Sequence, residues 1–212
     1  MGNRPNVPVK KPPYDQRLAR ILVRPLARTP LAPNHITVVT ILVALAAAGL
    51  FARGEPAAAN WGAGLFVLAR FLDHFDGELA RLTGKTSRFG YYFDYVSGAV
   101  SYAALFGGMG IGLAGGPLGG WALLLGAAGA AAALISMFLN LDLDKQKELA
   151  AGEAVGYPGI AGFELEDGIY LLAPVTWLGW LTPFFVASGI GAAVYCLWTA
   201  WTLLRIRTAK QP

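Results

Sequence analysis

Apolar positions in this chain come in long runs separated by short polar breaks, rather than in strict alternation or a single helical stripe. Runs of this length predict membrane-spanning helices, since about 20 apolar residues cross a bilayer. Six are expected: Ile36–Phe51, Asn60–Leu82, Ser87–Leu113, Leu118–Leu141, Asp167–Leu181 and Pro183–Leu204. The breaks have turn chemistry: Pro33-Asn34 before the first run, with Asn34 as an expected N-cap, Gly84 after the second, and Gly115-Gly116-Pro117 after the third. Ser87 is an expected N-cap for the third helix. A polar segment, Asp142 to Asp167, separates the fourth and fifth.

Ahead of these runs the pattern changes. From Tyr14 to Arg28, apolar Leu18, Ile21, Leu22, Pro25 and Leu26 recur at helical spacing with Arg17, Arg20, Arg24 and Arg28 between them. That combination predicts an amphipathic helix lying in an anionic membrane interface. The alternative is a basic flank of the first span. The expected organisation is a disordered Pro- and Lys-rich tail (1–13), the interfacial helix (14–30), one six-helix membrane domain (31–206) and a short tail (207–212). The fold class is all-α and polytopic.

Composition sharpens this picture. Of 212 residues, 55% are hydrophobic and 14% charged, and the mean hydropathy is +0.49. Soluble domains carry about 25% charged residues, so a soluble enzyme and a disordered chain are both excluded, and no separate soluble domain fits beside the spans. The net charge of +4 sits in residues flanking the apolar runs, which argues for topology rather than nucleic-acid binding. With both termini cytoplasmic, Lys10, Lys11, Arg17, Arg20, Arg24, Arg28, Arg81, Lys85, Arg88, Lys145, Lys147, Arg205, Arg207 and Lys210 lie inside and only Arg53 outside. The single cysteine, Cys196, allows no internal disulfide. The Met1-Gly2 start lacks the rest of a myristoylation pattern, and no cleavable signal pattern precedes the first run.

The second run holds the chemistry. Its end, Arg70-Phe71-Leu72-Asp73-His74-Phe75-Asp76-Gly77-Glu78-Leu79-Ala80-Arg81, packs charges where each costs roughly 2.5 to 3.5 kcal/mol at a helix centre. At 100° per residue, Asp73, Asp76, Gly77 and Ala80 share a face. Antiparallel packing of the third helix across Gly84 would bring Asp94 level with Asp73 and Asp76. Three carboxylates facing one cavity suit a hard cation, Mg²⁺ or Mn²⁺. Arg81, Lys85 and Arg88 beside them suit phosphate, so the expected chemistry acts on a pyrophosphate. The plain alternative is helix-end charge pairing at i,i+3 and i,i+4.

Asp73-x2-Asp76-Gly77-x2-Ala80-Arg81-x8-Gly90-x3-Asp94 resembles the CDP-alcohol phosphotransferase signature, D-x2-D-G-x2-A-R-x8-G-x3-D-x3-D. The six-span layout, the interfacial helix and Pro33-Asn34-His35-Ile36-Thr37 are similar to the family too. The resemblance implies transfer of a substituted phosphate from a CDP-linked donor, CDP-diacylglycerol in the phospholipid case, to an alcohol with release of CMP. It implies that Asp73, Asp76 and Asp94 hold divalent cations, that Gly77 and Ala80 make room for the nucleotide, that Arg81 contacts its phosphates, and that Gly90 permits close approach. It further implies a homodimer in a membrane, here expected to be a bacterial inner membrane.

The last aspartate of the pattern falls on Gly98, which can neither bind metal nor accept a proton. Replacement bases are His74 or the acids opening the fifth run, Glu164, Glu166 and Asp167, of which Glu166 and Asp167 are the expected pair. The rival readings are a family relative that binds CDP-lipid without turnover, and a cation or proton pathway. Clustering of the acids at one edge argues against the pathway.

Overall fold

The computed structural model describes residues 14–146, 159–160 and 163–209; the tail 1–13 lies outside the described residues. Among the described residues the regular structure is helical apart from an antiparallel pair of two-residue strands, β1 (Gly159–Ile160) and β2 (Phe163–Glu164), with Gly159 opposite Glu164. The helices are α1 (Tyr14–Val23), α2 (Pro33–Ala52), α3 (Pro56–Thr83), α4 (Arg88–Leu113), α5 (Trp121–Gln146), α6 (Leu172–Trp177) and α7 (Leu181–Ala209). Two 3-10 segments, Leu26–Arg28 and Leu165–Leu171, join them.

Their ends follow local chemistry. Proline at residue 25 has no N–H to give a preceding carbonyl, so α1 stops at Val23 and Leu26–Arg28 forms a separate turn. In α2, Pro33 occupies the first turn and Ala32 is the cap, so Asn34 lies inside the helix and the expected Asn cap is corrected. His35 Nδ1 takes the Ala32 N–H instead, at 3.3 Å. α3 ends where Gly84 adopts φ +68°, a left-handed C-cap that suits glycine. Ser87 then caps α4 as expected, its Oγ accepting the Gly90 N–H at 2.9 Å.

Among the described residues, four helices are long and apolar enough to cross a membrane: Pro33–Ala52, Arg88–Leu113, Trp121–Gln146 and Leu181–Thr208. α3, at 28 residues, is also of crossing length but carries charges along its second half. The fifth expected run is different: only the short apolar stretch Gly168–Trp177 is helical before α7. At 1.5 Å per residue such a stretch covers about half of a hydrocarbon core of roughly 30 Å. Gly179, at φ +80°, turns the chain between α6 and α7. Ile190, Val194, Leu197 and Trp201 of α7 are exposed, a surface suited to lipid rather than water. The chain is thus an integral membrane protein.

The core lies among α2, α3, α4, α5 and α7, where Phe51, Phe66, Leu105, Met109 and Phe185 are fully buried. Small residues bring α4 and α5 into backbone contact: a Cβ on Gly110 would sit 2.8 Å from the Ala122 carbonyl oxygen, and one on Gly126 2.7 Å from that of Phe106. This close approach is the use of the Gly- and Ala-rich fourth run.

Candidate functional site

Helix α3 packs along α2, and its charged end also meets α1. Asp76 is 6% exposed and accepts a hydrogen bond at Oδ2 from the Thr37 hydroxyl of α2. One turn earlier, Asp73 Oδ2 pairs with Arg70 Nη1 at 3.2 Å, while Asp73 Oδ1 is buried without a hydrogen-bond partner. Arg70 is itself 7% exposed, and its guanidinium lies over the Tyr102 ring of α4, 5.1 Å from the centroid. Buried Asp76 and half-buried Asp73, one helical turn apart and with one Asp73 oxygen unsatisfied, put two acidic groups where a cation would be favoured.

Gly77 and Ala80 follow on α3, both half-buried. A Cβ at Gly77 would meet the Arg81 guanidinium at 3.5 Å, so glycine keeps that position open beside the cation. Arg81, exposed, is held by Glu78: Nη2 donates to Oε1 at 2.9 Å. Glu78 is buried and also meets Arg20 of α1 at 3.7 Å. Lys85 and Arg88 are exposed in the turn and at the head of α4. A Cβ at Gly90 would meet the Ser87 hydroxyl at 3.1 Å and Asn34 Oδ1 at 3.3 Å, so the absence of a side chain lets α4 lie against the head of α2.

Asp94 is exposed on α4. Among the described residues no three His, Cys, Asp or Glu side chains are gathered into a group able to hold a metal. The expected trio is therefore not assembled: Asp73 is engaged by Arg70 and Asp76 by Thr37. The donor set still fits a hard cation, because both α3 carboxylates are desolvated and Asp73 keeps an unpartnered oxygen. Gly98, one turn beyond Asp94, has no atom within 4 Å of a Cβ built on it.

His74 Nε2 lies 2.8 Å from Asp15 Oδ2 of α1, and the same oxygen accepts the Tyr170 hydroxyl at 3.0 Å. His74 is thus engaged away from the acidic face. Glu166 and Asp167 belong to the 3-10 segment Leu165–Leu171, and their side chains lie outside the described residues. At the head of α4, Tyr91 and Tyr95 both donate to the buried Asp144 of α5, the first at 2.8 Å.

Sequence reading gave no role to Arg70, Thr37, Asp15 or Asp144. Arg70 and Asp144 carried a signal, a charge inside or at the end of an apolar run. Thr37 and Asp15 carried none, because their partners lie far along the chain.

A family model for CDP-alcohol phosphatidyltransferase matches residues 30–206. The chain belongs to this family. An archaetidylinositol phosphate synthase from Pyrococcus horikoshii is 33% identical over 102 residues, covering 48% of this chain and 52% of that protein. A phosphatidylinositol phosphate synthase from Streptomyces avermitilis is 36% identical over 92 residues, covering 43% of this chain and 36% of its own length. The chain thus spans about half or less of the curated relatives it matches. Two structures of a phosphatidylinositol phosphate synthase from Mycobacterium tuberculosis share the fold. The one with CDP-DAG bound has a TM-score of 0.67 at 19% identity, covering 88% of this chain and 94% of that one. The other, with manganese and citrate, has a TM-score of 0.65 at 20% identity, covering 88% of each chain.

Proposed function

We propose that this CDP-alcohol phosphatidyltransferase family member transfers a substituted phosphate, phosphatidyl in the simplest case, from a CDP-linked donor to an alcohol, releasing CMP in phospholipid synthesis. The observation that carries the reading is the pairing of buried Asp76 with half-buried Asp73, which keeps an unpartnered oxygen, in the α3 segment whose spacing resembles the family signature. In this reading Asp73, Asp76 and Asp94 would hold Mg²⁺ or Mn²⁺, which when bound supplies Lewis-acid polarisation of the pyrophosphate.

The chain's own groups do the rest. Gly77 and Ala80 leave room for the cytidine nucleotide, and Gly90 keeps the α2–α4 approach close. Arg81, steered by Glu78, takes the phosphates together with Lys85 and Arg88, placing fixed positive charge where negative charge grows on the departing CMP. The acceptor oxygen forms its bond to phosphorus as the bond to the CMP oxygen breaks. The hydroxyl proton goes to Glu166 or Asp167. A homodimer in a bacterial inner membrane, with both termini and the site cytoplasmic, completes the proposal.

A CMP-release assay on purified protein with Mg²⁺ or Mn²⁺, CDP-diacylglycerol and a panel of alcohols tests it. The relatives' names put an inositol phosphate first on that panel. CMP release that needs both metal and one acceptor supports the reading. Gly98 favours a second one, a CDP-lipid binder without turnover; Mn²⁺-dependent protection by nucleotide without CMP release from any acceptor would select it.

A further inference from the structure

One carboxylate joins α1, α3 and the segment before α6. Asp15 Oδ2 meets His74 Nε2 at 2.8 Å and the Tyr170 hydroxyl at 3.0 Å, while Oδ1 takes the Gln16 N–H at 2.7 Å. The Asp15 and His74 side chains are only 15% and 14% exposed. Ala19 and Val23 seat the same helix on Ile36, Phe75 and Leu79, and Leu18, Ile21 and Leu22 face outward. Apolar packing of that kind is tolerant of sliding, whereas a buried carboxylate that loses its donors costs free energy. The polar junction therefore fixes the register of the three elements. His74 sits between Asp73 and Asp76 in the sequence, and Tyr170 follows Glu166 and Asp167 within one 3-10 segment.

We propose that Asp15 is a positioning residue of the phosphotransfer site, holding the Leu165–Leu171 segment against the part of α3 that carries Asp73 and Asp76. The inference rests on the phosphotransfer reading. Asp15 acts through His74 and Tyr170 and touches neither donor nor acceptor. It sets where the segment bearing the candidate base lies, so it governs turnover and leaves donor binding alone. Misplacement of a reacting group by about 1 Å costs on the order of 10²-fold in rate.

The test uses the full chain in phosphatidylglycerol-containing nanodiscs. Asp15→Ala is expected to lower kcat about tenfold or more, with KM for CDP-diacylglycerol within about threefold of the parent. Asp15→Asn, which keeps an acceptor oxygen, restores most of the rate. Tyr170→Phe gives a smaller loss, and the double variant Asp15→Ala/Tyr170→Phe is no slower than Asp15→Ala, as a shared contact requires. Arg24→Ala, an exposed change on the same stretch, leaves kcat unchanged. A nitroxide at Gly168→Cys in a Cys196→Ala background reads the segment directly and gains mobility in Asp15→Ala and Tyr170→Phe. Should Asp15→Ala fail to fold, Tyr170→Phe carries both comparisons. Losses that multiply in the double variant, or an unchanged nitroxide, overturn the proposal. A parent protein that releases no CMP sinks the phosphotransfer reading instead, and with it the catalytic part of this one, whatever the nitroxide reports.

Discussion

At the scale of single residues, the site is a matter of which oxygen is left over. Asp76 is buried and tied to Thr37, and Asp73 is tied to Arg70 through one oxygen only. Removing the Asp76 carboxylate takes away a candidate ligand, so Asp76→Ala is expected to abolish Mn²⁺-dependent protection of the protein by CDP in a thermal-shift measurement. Protection that survives would place the metal elsewhere. Gly98→Asp tests the opposite change. With nothing packed within 4 Å of a new Cβ, the first atom of the side chain meets no neighbour, and tighter Mn²⁺ binding by titration calorimetry is expected. If CMP release were seen only after this substitution, the natural chain would be the non-turning binder. Glu166→Gln and Asp167→Asn are expected to lower kcat by about 10² to 10⁴ in whichever holds the base; full rates in both would remove them from the mechanism. These acids were legible because charge in an apolar run is costly and the D-x2-D-G spacing is specific. The Thr37 and Asp15 contacts were not legible, since each depends on packing between distant segments.

Elements show where periodicity suffices and where it fails. The ends of α3 and α4 followed from Gly84 and Ser87, residues whose backbone geometry or side chain fixes a helix terminus by itself. The fifth expected run, Asp167–Leu181, is not one continuous helix but the end of a 3-10 segment, the six residues of α6 and the turn at Gly179; it still runs back along α3, from Tyr170 beside Asp15 and His74 to Trp177, whose indole N–H donates to the Asn60 carbonyl. Hydropathy registers solubility, not backbone continuity. For α1, the helical stripe was readable but its length was not, Pro25 ending it early. Its attachment to α3 has a pH signature. Burial raises the Asp15 pKa, but hydrogen bonding and charge from His74, with the Gln16 N–H and the Tyr170 hydroxyl, outweigh it and hold the carboxyl below its ordinary 3.8, at about 2. A depressed carboxylate stabilises the docked form above its undocked pKa, and that stabilisation is lost as pH falls through the docked value. α1 is therefore expected to stay docked down to about pH 4 and to loosen between about 4 and 2. Nitroxide mobility at Arg24→Cys, again without Cys196, checks this; a release on acidification centred well above pH 4 would mean that another group holds the helix.

On the scale of the whole molecule, the charged contacts gather at one end of the bundle. Thr37 with Asp76 joins the start of α2 to the end of α3, Tyr91 with Asp144 the start of α4 to the end of α5, and Arg207 with Asp142 the end of α7 to the end of α5. Arg81, Lys85, Arg88, Lys145 and Arg205 belong to that end by their places on these helices. Arg53 belongs to the other, in the α2–α3 turn, where it pairs with Glu55 at 3.2 Å. A bundle with its basic residues so divided is expected to insert with the basic end toward the cytoplasm, because translocating Lys and Arg is disfavoured. Arg53, partnered by a carboxylate, is a weak counterweight. Cysteines introduced at Lys10 or Lys210 in a Cys196→Ala background are thus expected to resist a membrane-impermeant maleimide in intact cells and to react once the membrane is opened. A cysteine at Arg53 is expected to react from outside in both conditions. The reverse pattern would turn the Asp73–Asp76 end outward, away from the cytoplasmic pool on which the proposed phosphotransfer would draw for a soluble acceptor and into which it would release CMP.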